Sequence, residues 1–248
     1  MGTLDLFWGD AAAYASFVKE FNVFNAPLVF KDEKHWGAVV HGPIFDSLAD
    51  QLLKKAGVRI LGRYWMGERY VLTRNKPVYT PDDIKGLKIR VPDIPMYTAS
   101  FRALGAIPTP INYAEVYLSL QQGVVDGMEN PVGLIASMKF YEVAKYLTLV
   151  PWNNAVNVLV INESAFGKLK PEHQKVLQDA GRESSKYLEE LMTKETDECL
   201  KLFESKGVTL VRPKDISPWL AAVKDFPKKY GDMWARQDLY YEIQNYKY

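Results

Sequence analysis

Apolar runs bounded by turn residues alternate along the chain with stretches in which apolar positions recur every three or four residues. The runs VRILGRYW at 58–65 and AVNVLVIN at 155–162 predict buried strands. In LKIRV at 87–91, apolar residues alternate with Lys88 and Arg90, which predicts a strand with one buried face. Strands that alternate with helical segments indicate an α/β protein.

The helical pattern is clearest in three segments. HWGAVVHGPIFDSLADQLLKKAG at 35–57 predicts one helix that ends at Gly57, and a second helix is expected over 133–147. A long helix is predicted to begin at Pro171 and to end at Gly207. Its apolar stripe, expected to face the core, contains Leu177, Ala180, Tyr187, Leu188, Leu191, Cys199, Leu202 and Phe203.

Polar residues predict where two shorter helices begin. Asp93 is expected to cap a short helix that closes at Gly105. Asn112 and Glu115 form a capping-box pattern that is expected to open another helix, which ends at Gly123.

Two long connections, at 66–80 and 148–155, predict that the chain crosses more than once between two lobes with a hinged cleft. A helix at 217–234, interrupted by Pro227, precedes an aromatic tail that is expected to pack over both lobes. The predicted lobe I comprises residues 1–66 and 156–195, and lobe II comprises 67–155 and 196–248.

Composition excludes several classes of function. Lysine plus arginine total 31 and aspartate plus glutamate 30, so no bulk charge favours nucleic acid. Cys199 is the only cysteine, which excludes an internal disulfide and a cysteine-built metal centre. His35, His41 and His173 are scattered, so no metal site is expected. No apolar run approaches the roughly 20 residues that cross a bilayer, and direct membrane insertion is not expected.

The first residues predict a strand without any preceding export signal. TLDLFW has the pattern of a strand almost from residue 1, and MGTLDLFWGDAAAY lacks a basic segment followed by an apolar one. We therefore expect that an N-terminal piece is missing from this version of the chain.

Three blocks carry a resemblance to a known family. They are GLKIRVP at 86–92, ALGAIPTPINYAEVYLSLQQGVVDGMENP at 103–131 and KFYEVAKYLTL at 139–149. In this order and spacing they closely resemble the substrate-binding proteins of TRAP transporters, the DctP-like family. The resemblance implies a two-lobed periplasmic binding protein (type II-like) with long C-terminal helices.

Arg90 is the central candidate for ligand binding. Its side chain is expected opposite the buried face of its strand, near the carboxyl end, where open α/β sheets bind ligands. A guanidinium can engage both oxygens of a carboxylate and stays charged at any relevant pH. The alternative, for an arginine in an unknown sequence, is a surface or structural role.

The resemblance implies further site residues. Arg90 occupies the place of the family's main carboxylate ligand, and Arg69 matches a second arginine that faces the substrate. Asn130 matches an asparagine at the cleft whose amide could donate to a ligand oxygen, and the alternative is a turn former before Pro131. Glu129 is expected to organise an arginine. The other candidates are Tyr113, Asp93, Trp152, Trp65 and Trp8, for some of which core packing is the alternative.

These patterns predict capture of a small organic carboxylate without chemical change. By resemblance the protein is periplasmic, delivers its ligand to the membrane subunits of a TRAP permease, and needs no cofactor. An extracytoplasmic ligand sensor and an enzyme on the same fold are the alternatives. The sequence gives little support to the enzyme hypothesis, because no GxSxG, phosphate-binding loop or HExxH motif is present.

Overall fold

Two β-sheets form the framework of the computed structural model, which describes residues 4–248. In chain order the strands are β1 (Leu6–Asp10), β2 (Val58–Trp65), β3 (Arg69–Thr73), β4 (Lys88–Val91), β5 (Ile107–Pro110), β6 (Gly127–Pro131), β7 (Tyr146–Asn153), β8 (Val156–Asn162) and β9 (Thr209–Val211). The first sheet is antiparallel, with the order β1-β8-β2. The second is mixed, with the order β5-β4-β6-β3-β7-β9.

Helices cover these sheets. They are α1 (Glu33–Val40), α2 (Pro43–Ala56), α3 (Pro81–Ile84), α4 (Pro95–Ala103), α5 (Val116–Gln122), α6 (Val132–Ser137), α7 (Glu163–Gly167), α8 (Pro171–Ser205), α9 (Ser217–Val223), α10 (Phe226–Tyr230) and α11 (Gln237–Gln244). None of these helices has both the length and the apolar character needed to span a bilayer.

The prediction of one helix over 35–57 is wrong, because the chain forms α1 and α2 with a break at His41 and Gly42, directly before Pro43. Proline lacks the N–H that would continue α1, but it fits the first turn of α2. The predicted end is confirmed: Gly57 adopts φ +63° and its N–H donates to the carbonyl of Leu53.

Two segments predicted as connections contain strands instead. The polar stretch at 66–80 includes β3, whose residues 70–73 are buried between β6 and β7. The segment at 148–155 lies largely within β7. The helix expected over 133–147 is also wrong, since α6 ends at Ser137 and a turn leads into β7. The polar residues that flank these segments led to the prediction of connections. The strands form because neighbouring strands of the sheet stabilise them.

The predicted helix caps also differ from the structure. The N-cap of α4 is Ile94, and Pro95 takes the first helical position, so Asp93 caps nothing. Asn112 makes no side-chain capping bond, and a 3₁₀ turn at Tyr113–Glu115 precedes α5. The end of α5 at Gly123, with φ +77°, agrees with the prediction.

Helix α8 is 35 residues long and runs from the first sheet to the second. Near its start, Gly181 lies against the backbone of Leu61, and the N–H of Arg63 donates to Ser185 Oγ at 3.0 Å. Near its end, Cys199 and Phe203 enter the core of the second sheet, as predicted for Cys199. Tyr187 and Leu191, expected on the buried stripe, are exposed, because they lie between the parts of the helix that contact the two sheets. Ala180, also expected there, is exposed although the next residue, Gly181, faces β2.

The C-terminal residues pack back onto the region before α2. Tyr240 donates to the carbonyl of Pro27 at 2.8 Å, and the ring of His35 contacts the carbonyl of Ile243 at 2.9 Å. One large core cluster joins these residues to the first sheet and to one face of the second. The strands divide as the predicted lobes do, but the tail contacts lobe I residues, and the exact lobe boundaries stay a prediction.

Candidate ligand-binding site

Strand ends from both sheets meet at one place. β4 runs parallel to β6, so their carboxyl ends lie at the same edge of the second sheet. Antiparallel pairing sets Arg69, the first residue of β3, opposite Pro131 at that edge. In the first sheet, Asp10 at the end of β1 pairs with Asn157 near the start of β8. The short connections from β2 to β3 and from β7 to β8 join the two edges.

A cavity of about 310 Å³ opens at this junction. Its walls come from both sheets and the adjoining loops, and the lining residues are Trp8, Asp10, Met66, Arg69, Arg90, Pro92, Ile94, Tyr97, Tyr113, Asn130, Leu134, Ala155 and Asn157. The cavity therefore lies where open α/β sheets place their ligands.

A larger cavity of about 690 Å³ lies elsewhere, between β2 and α8. Its arginines already have carboxylate partners, since Arg63 pairs with Asp46 and Arg182 with Asp179. Volume alone favours this groove, but the chemistry favours the smaller cavity, where an arginine lacks such a partner.

Arg69 is held by Glu129 in a two-bond ion pair. Its Nε and Nη2 donate to the Glu129 carboxylate at 2.6 and 2.8 Å, and the glutamate side chain is fully buried. Burial raises the pKa of Glu129, and the charge of Arg69 opposes that shift. Burial also disfavours the charged form of Arg69, but Glu129, together with Tyr97 and Asp10, outweighs it, so the pKa of the guanidinium is raised. The contact expected of Glu129, to organise an arginine, is present.

Arg90 is buried without a carboxylate partner. Only 3% of the residue is exposed, and its Nε donates to the carbonyl of Ile111 at 2.9 Å. Its guanidinium lies 5.7 Å from the ring centre of Tyr113. Among residues 4–248 no ion pair involves Arg90. Burial lowers the pKa of Arg90, while Glu129 opposes that shift and Arg69 adds to it.

Sequence reasoning expected Arg90 opposite the single buried face of its strand, pointing into a cleft. The single buried face is wrong, because β4 lies between β5 and β6 and carries buried residues on both faces. The cavity, rather than bulk solvent, receives the side chain. An alternating strand pattern cannot distinguish these two environments.

Tyr113 and Asn130 line the cavity beside Arg90. Asn130 Nδ2 donates to the Tyr113 hydroxyl at 3.4 Å, and that hydroxyl donates to the carbonyl of Leu134 at 3.3 Å. Trp8 lies on the opposite wall, with 46% of its surface exposed. The structure thus brings Arg69, Arg90, Asn130, Tyr113 and Trp8 together around one space.

The other predicted residues lie outside the lining. Asp93 is exposed, and the indole N–H of buried Trp65 donates to Asn154 Oδ1 at 2.9 Å. Trp152 is 1% exposed and packs against Tyr97, with ring centres 5.2 Å apart. Trp152 supports the wall through that contact, because Tyr97 lines the cavity. Ligand contact remains a prediction for every site residue.

Asp10 and Tyr97 are lining residues that sequence reasoning missed. Asp10 accepts hydrogen bonds from the Ala12 N–H at 2.8 Å and from Asn25 Nδ2 at 3.0 Å. Burial raises its pKa, and these hydrogen bonds oppose the shift. A carboxylate directly after an apolar strand was the available signal for Asp10. Tyr97 gave no such signal, since it fits the buried face of α4 equally well.

Within residues 4–248, no cluster of three or more acidic, histidine or cysteine side chains could hold a metal.

Two α/β sheets with a cavity at their junction, lined by two arginines, are the arrangement typical of solute-binding proteins. The chain belongs to the bacterial extracellular solute-binding protein family 7, DctP, which it matches over residues 1–233. The family and the fold predicted from the sequence are confirmed.

A named relative supports the assignment to this family. The 2,3-diketo-L-gulonate-binding periplasmic protein YiaO of Escherichia coli is 32% identical over 214 residues, which cover 86% of this chain and 65% of YiaO. The chain therefore spans just under two thirds of that relative.

Solved structures are similar over almost the whole chain. A TRAP periplasmic solute-binding protein from Roseobacter denitrificans, with bound β-D-glucuronate, has a TM-score of 0.90 and 30% identity, covering 99% of this chain and 82% of that one. A TRAP protein from Bordetella, with density assigned to pantoate, has a TM-score of 0.89 and 28% identity, covering 100% and 81%.

Proposed function

We propose that this protein captures a small organic carboxylate in the cavity between its sheets and releases it unaltered. The observation that carries the proposal is Arg90, a buried cation without a carboxylate partner among the described residues. A buried charge is costly unless an opposite charge compensates it. Arg69 has Glu129 as its counter-ion, so these two arginines and the glutamate leave one positive charge. Asp10 also lines the cavity, but its carboxylate accepts from Ala12 and Asn25 and makes no ion pair with Arg90.

The arrangement also supports a closing mechanism. Asp10, Trp8 and Asn157 come from the first sheet, whereas both arginines come from the second. A ligand that contacts both walls favours the conformation in which the walls approach each other. We propose that this ligand-bound form docks on the membrane subunits of a TRAP permease, outside the cytoplasmic membrane, as the names of its relatives suggest.

The test begins with a thermal-shift screen of organic acids, followed by calorimetry with the acid that raises the melting temperature most. We expect Arg90→Ala to weaken binding by about 2–5 kcal/mol, because the charge that compensates the ligand is lost. Arg90→Lys keeps the charge but loses the planar fork, so we expect an intermediate loss. Arg102→Ala, at an exposed position of α4, is the control. Unchanged affinity in Arg90→Ala would refute the proposed role.

Mass spectrometry separates binding from catalysis. Ligand released by denaturation after a long incubation is expected to have the mass of the acid that was added. A product of different mass, formed by the wild type and not by Arg90→Ala, would favour an enzyme on this fold.

A further inference from the structure

The cavity has a charged end and a largely apolar body. Arg69, Arg90 and Asn130 form the charged end, on the second sheet. Half of the lining residues beyond them have no hydrogen-bonding group in the side chain, namely Met66, Pro92, Ile94, Leu134 and Ala155, and the rings of Trp8, Tyr97 and Tyr113 add apolar surface. The part of a ligand that lies beyond its carboxylate therefore meets apolar surface.

Several polar groups in the lining already form hydrogen bonds within the protein. The Tyr113 hydroxyl lies between Asn130 and the carbonyl of Leu134. The Asp10 carboxylate accepts from Ala12 and Asn25. A polyhydroxylated acid carries a hydroxyl on nearly every carbon, and each one buried without a partner costs binding free energy. Outside the charged end, the lining can serve about three hydroxyls, at Asp10, Tyr97 and Asn157, but not a full set.

The far wall also lacks a second cationic site. Arg69 and Arg90 are the only arginine or lysine side chains among the described lining residues, and both belong to the second sheet. On the first sheet the charged residue is Asp10. A second carboxylate on the ligand would face this acidic side chain instead of a guanidinium.

From this distribution we infer that the ligand is a monocarboxylate with a compact apolar body, branched aliphatic or aromatic, that carries at most two or three further polar groups. The inference rests on the proposed function, because it assumes that the carboxylate binds at the arginines. It narrows the expected ligands from organic acids in general to monocarboxylates with a compact apolar body. A cavity of about 310 Å³ accommodates an acid of this compact size.

The first test compares matched acids by calorimetry on the intact protein. The apolar probes are 4-methyl-2-oxopentanoate and 3-phenyllactate, and the comparison probes are D-gluconate and succinate. We expect at least one apolar probe to bind about tenfold or more tightly than either comparison probe. Its binding should also have a negative heat-capacity change, the mark of buried apolar surface.

The second test changes the wall. Leu134→Asn keeps a similar size but adds an amide to the half-buried lining, and we expect about tenfold weaker binding of the apolar probe with no loss for D-gluconate. Leu118→Asn, at a position that is 56% exposed, is the matched control. Ile94→Thr is a second variant that tests the same wall should Leu134→Asn fail to fold.

The outcomes separate this inference from the proposed function. If D-gluconate or succinate binds as tightly as the apolar probes or more so, and Arg90→Ala abolishes that binding, the inference fails while carboxylate capture stands. Equal losses for both kinds of acid in Leu134→Asn would also overturn it. If neither apolar probe binds, the inference fails; only if no acid of the thermal-shift screen binds either does carboxylate capture fail as well.

Discussion

The cavity between the sheets and the groove between β2 and α8 differ in how their charges are balanced. In the groove, which is more than twice as large, Arg63 and Arg182 pair with Asp46 and Asp179. In the cavity, Arg90 has no carboxylate partner among the described residues. Lys186 also lines the groove and has no ion pair within residues 4–248, but it is exposed to solvent, whereas Arg90 is buried and its charge is not compensated by water. The balance of charge therefore identifies the binding site better than volume does.

The largest effect is expected from the ion pair that fixes Arg69. Glu129→Gln leaves a buried guanidinium without its counter-ion, and we expect a loss of about 3–5 kcal/mol in the free energy of unfolding, measured by urea denaturation. The comparison is Glu163→Gln. Glu163 also accepts two bonds from an arginine, Arg59, both at 2.6 Å, but that pair is partly exposed. There we expect about 0–1 kcal/mol.

A double variant keeps this test decisive. Replacing both partners, as in Arg69→Met with Glu129→Leu, removes the uncompensated charge and should recover most of the stability lost in Glu129→Gln. If Glu129→Gln costs no more than Glu163→Gln, the buried pair does not hold this part of the cavity together.

The sequence predicted the parts of the fold that depend on long, uniform patterns. The strands β2 and β8 and the helix α8 were expected close to their observed bounds, because each pattern extends over many residues. The strand β3 was missed, since RYVLT is short and the cause of its pairing lies in β6 and β7. Local sequence does not contain that information.

The candidate site shows the same limit. Arg69 and Arg90 were expected from a resemblance and from donor chemistry, and the structure brings both to one cavity. Trp152 was expected there as well but lies behind Tyr97, a difference of one packing layer that no sequence pattern specifies. Which arginine has a counter-ion also depends on strands far apart in the chain, so only the structure separates Arg90 from Arg69.

A smaller effect on stability is expected at two histidines, of which His35 is buried and His41 is exposed. His35 is fully buried, with Nδ1 accepting the N–H of Lys31 at 3.1 Å and Nε2 at 2.9 Å from the carbonyl of Ile243. Both contacts together require a neutral ring. Burial lowers the pKa of His35, and the Ile243 carbonyl opposes that shift; Lys31 lowers it further, and Asp32 raises it. The ring of Tyr248 packs beside it.

Because the pKa of His35 is lowered in the folded protein, stability should decrease as the pH falls. The unfolded chain binds a proton at His35 below about pH 6.5, where the folded protein does not yet bind one, so stability falls as the pH decreases from there until the lowered folded pKa is passed. We expect the melting temperature to drop between pH 7.5 and 5.5 and the drop to be smaller in His35→Gln. His41→Gln, in the groove, is the control, with 45% of the His41 side chain exposed. Equal drops in the wild type and His35→Gln would contradict this assignment.

The smallest effect should come from the groove itself. Arg182 is exposed and already pairs with Asp179, so its charge is balanced and screened by solvent. We expect Arg182→Ala to leave the affinity for any bound organic acid within about twofold of the wild type by calorimetry. An anion whose binding is lost in Arg182→Ala but kept in Arg90→Ala would reverse the comparison. Such an anion would show that a paired surface arginine can exchange its carboxylate for a ligand, and that the larger groove is itself a binding site.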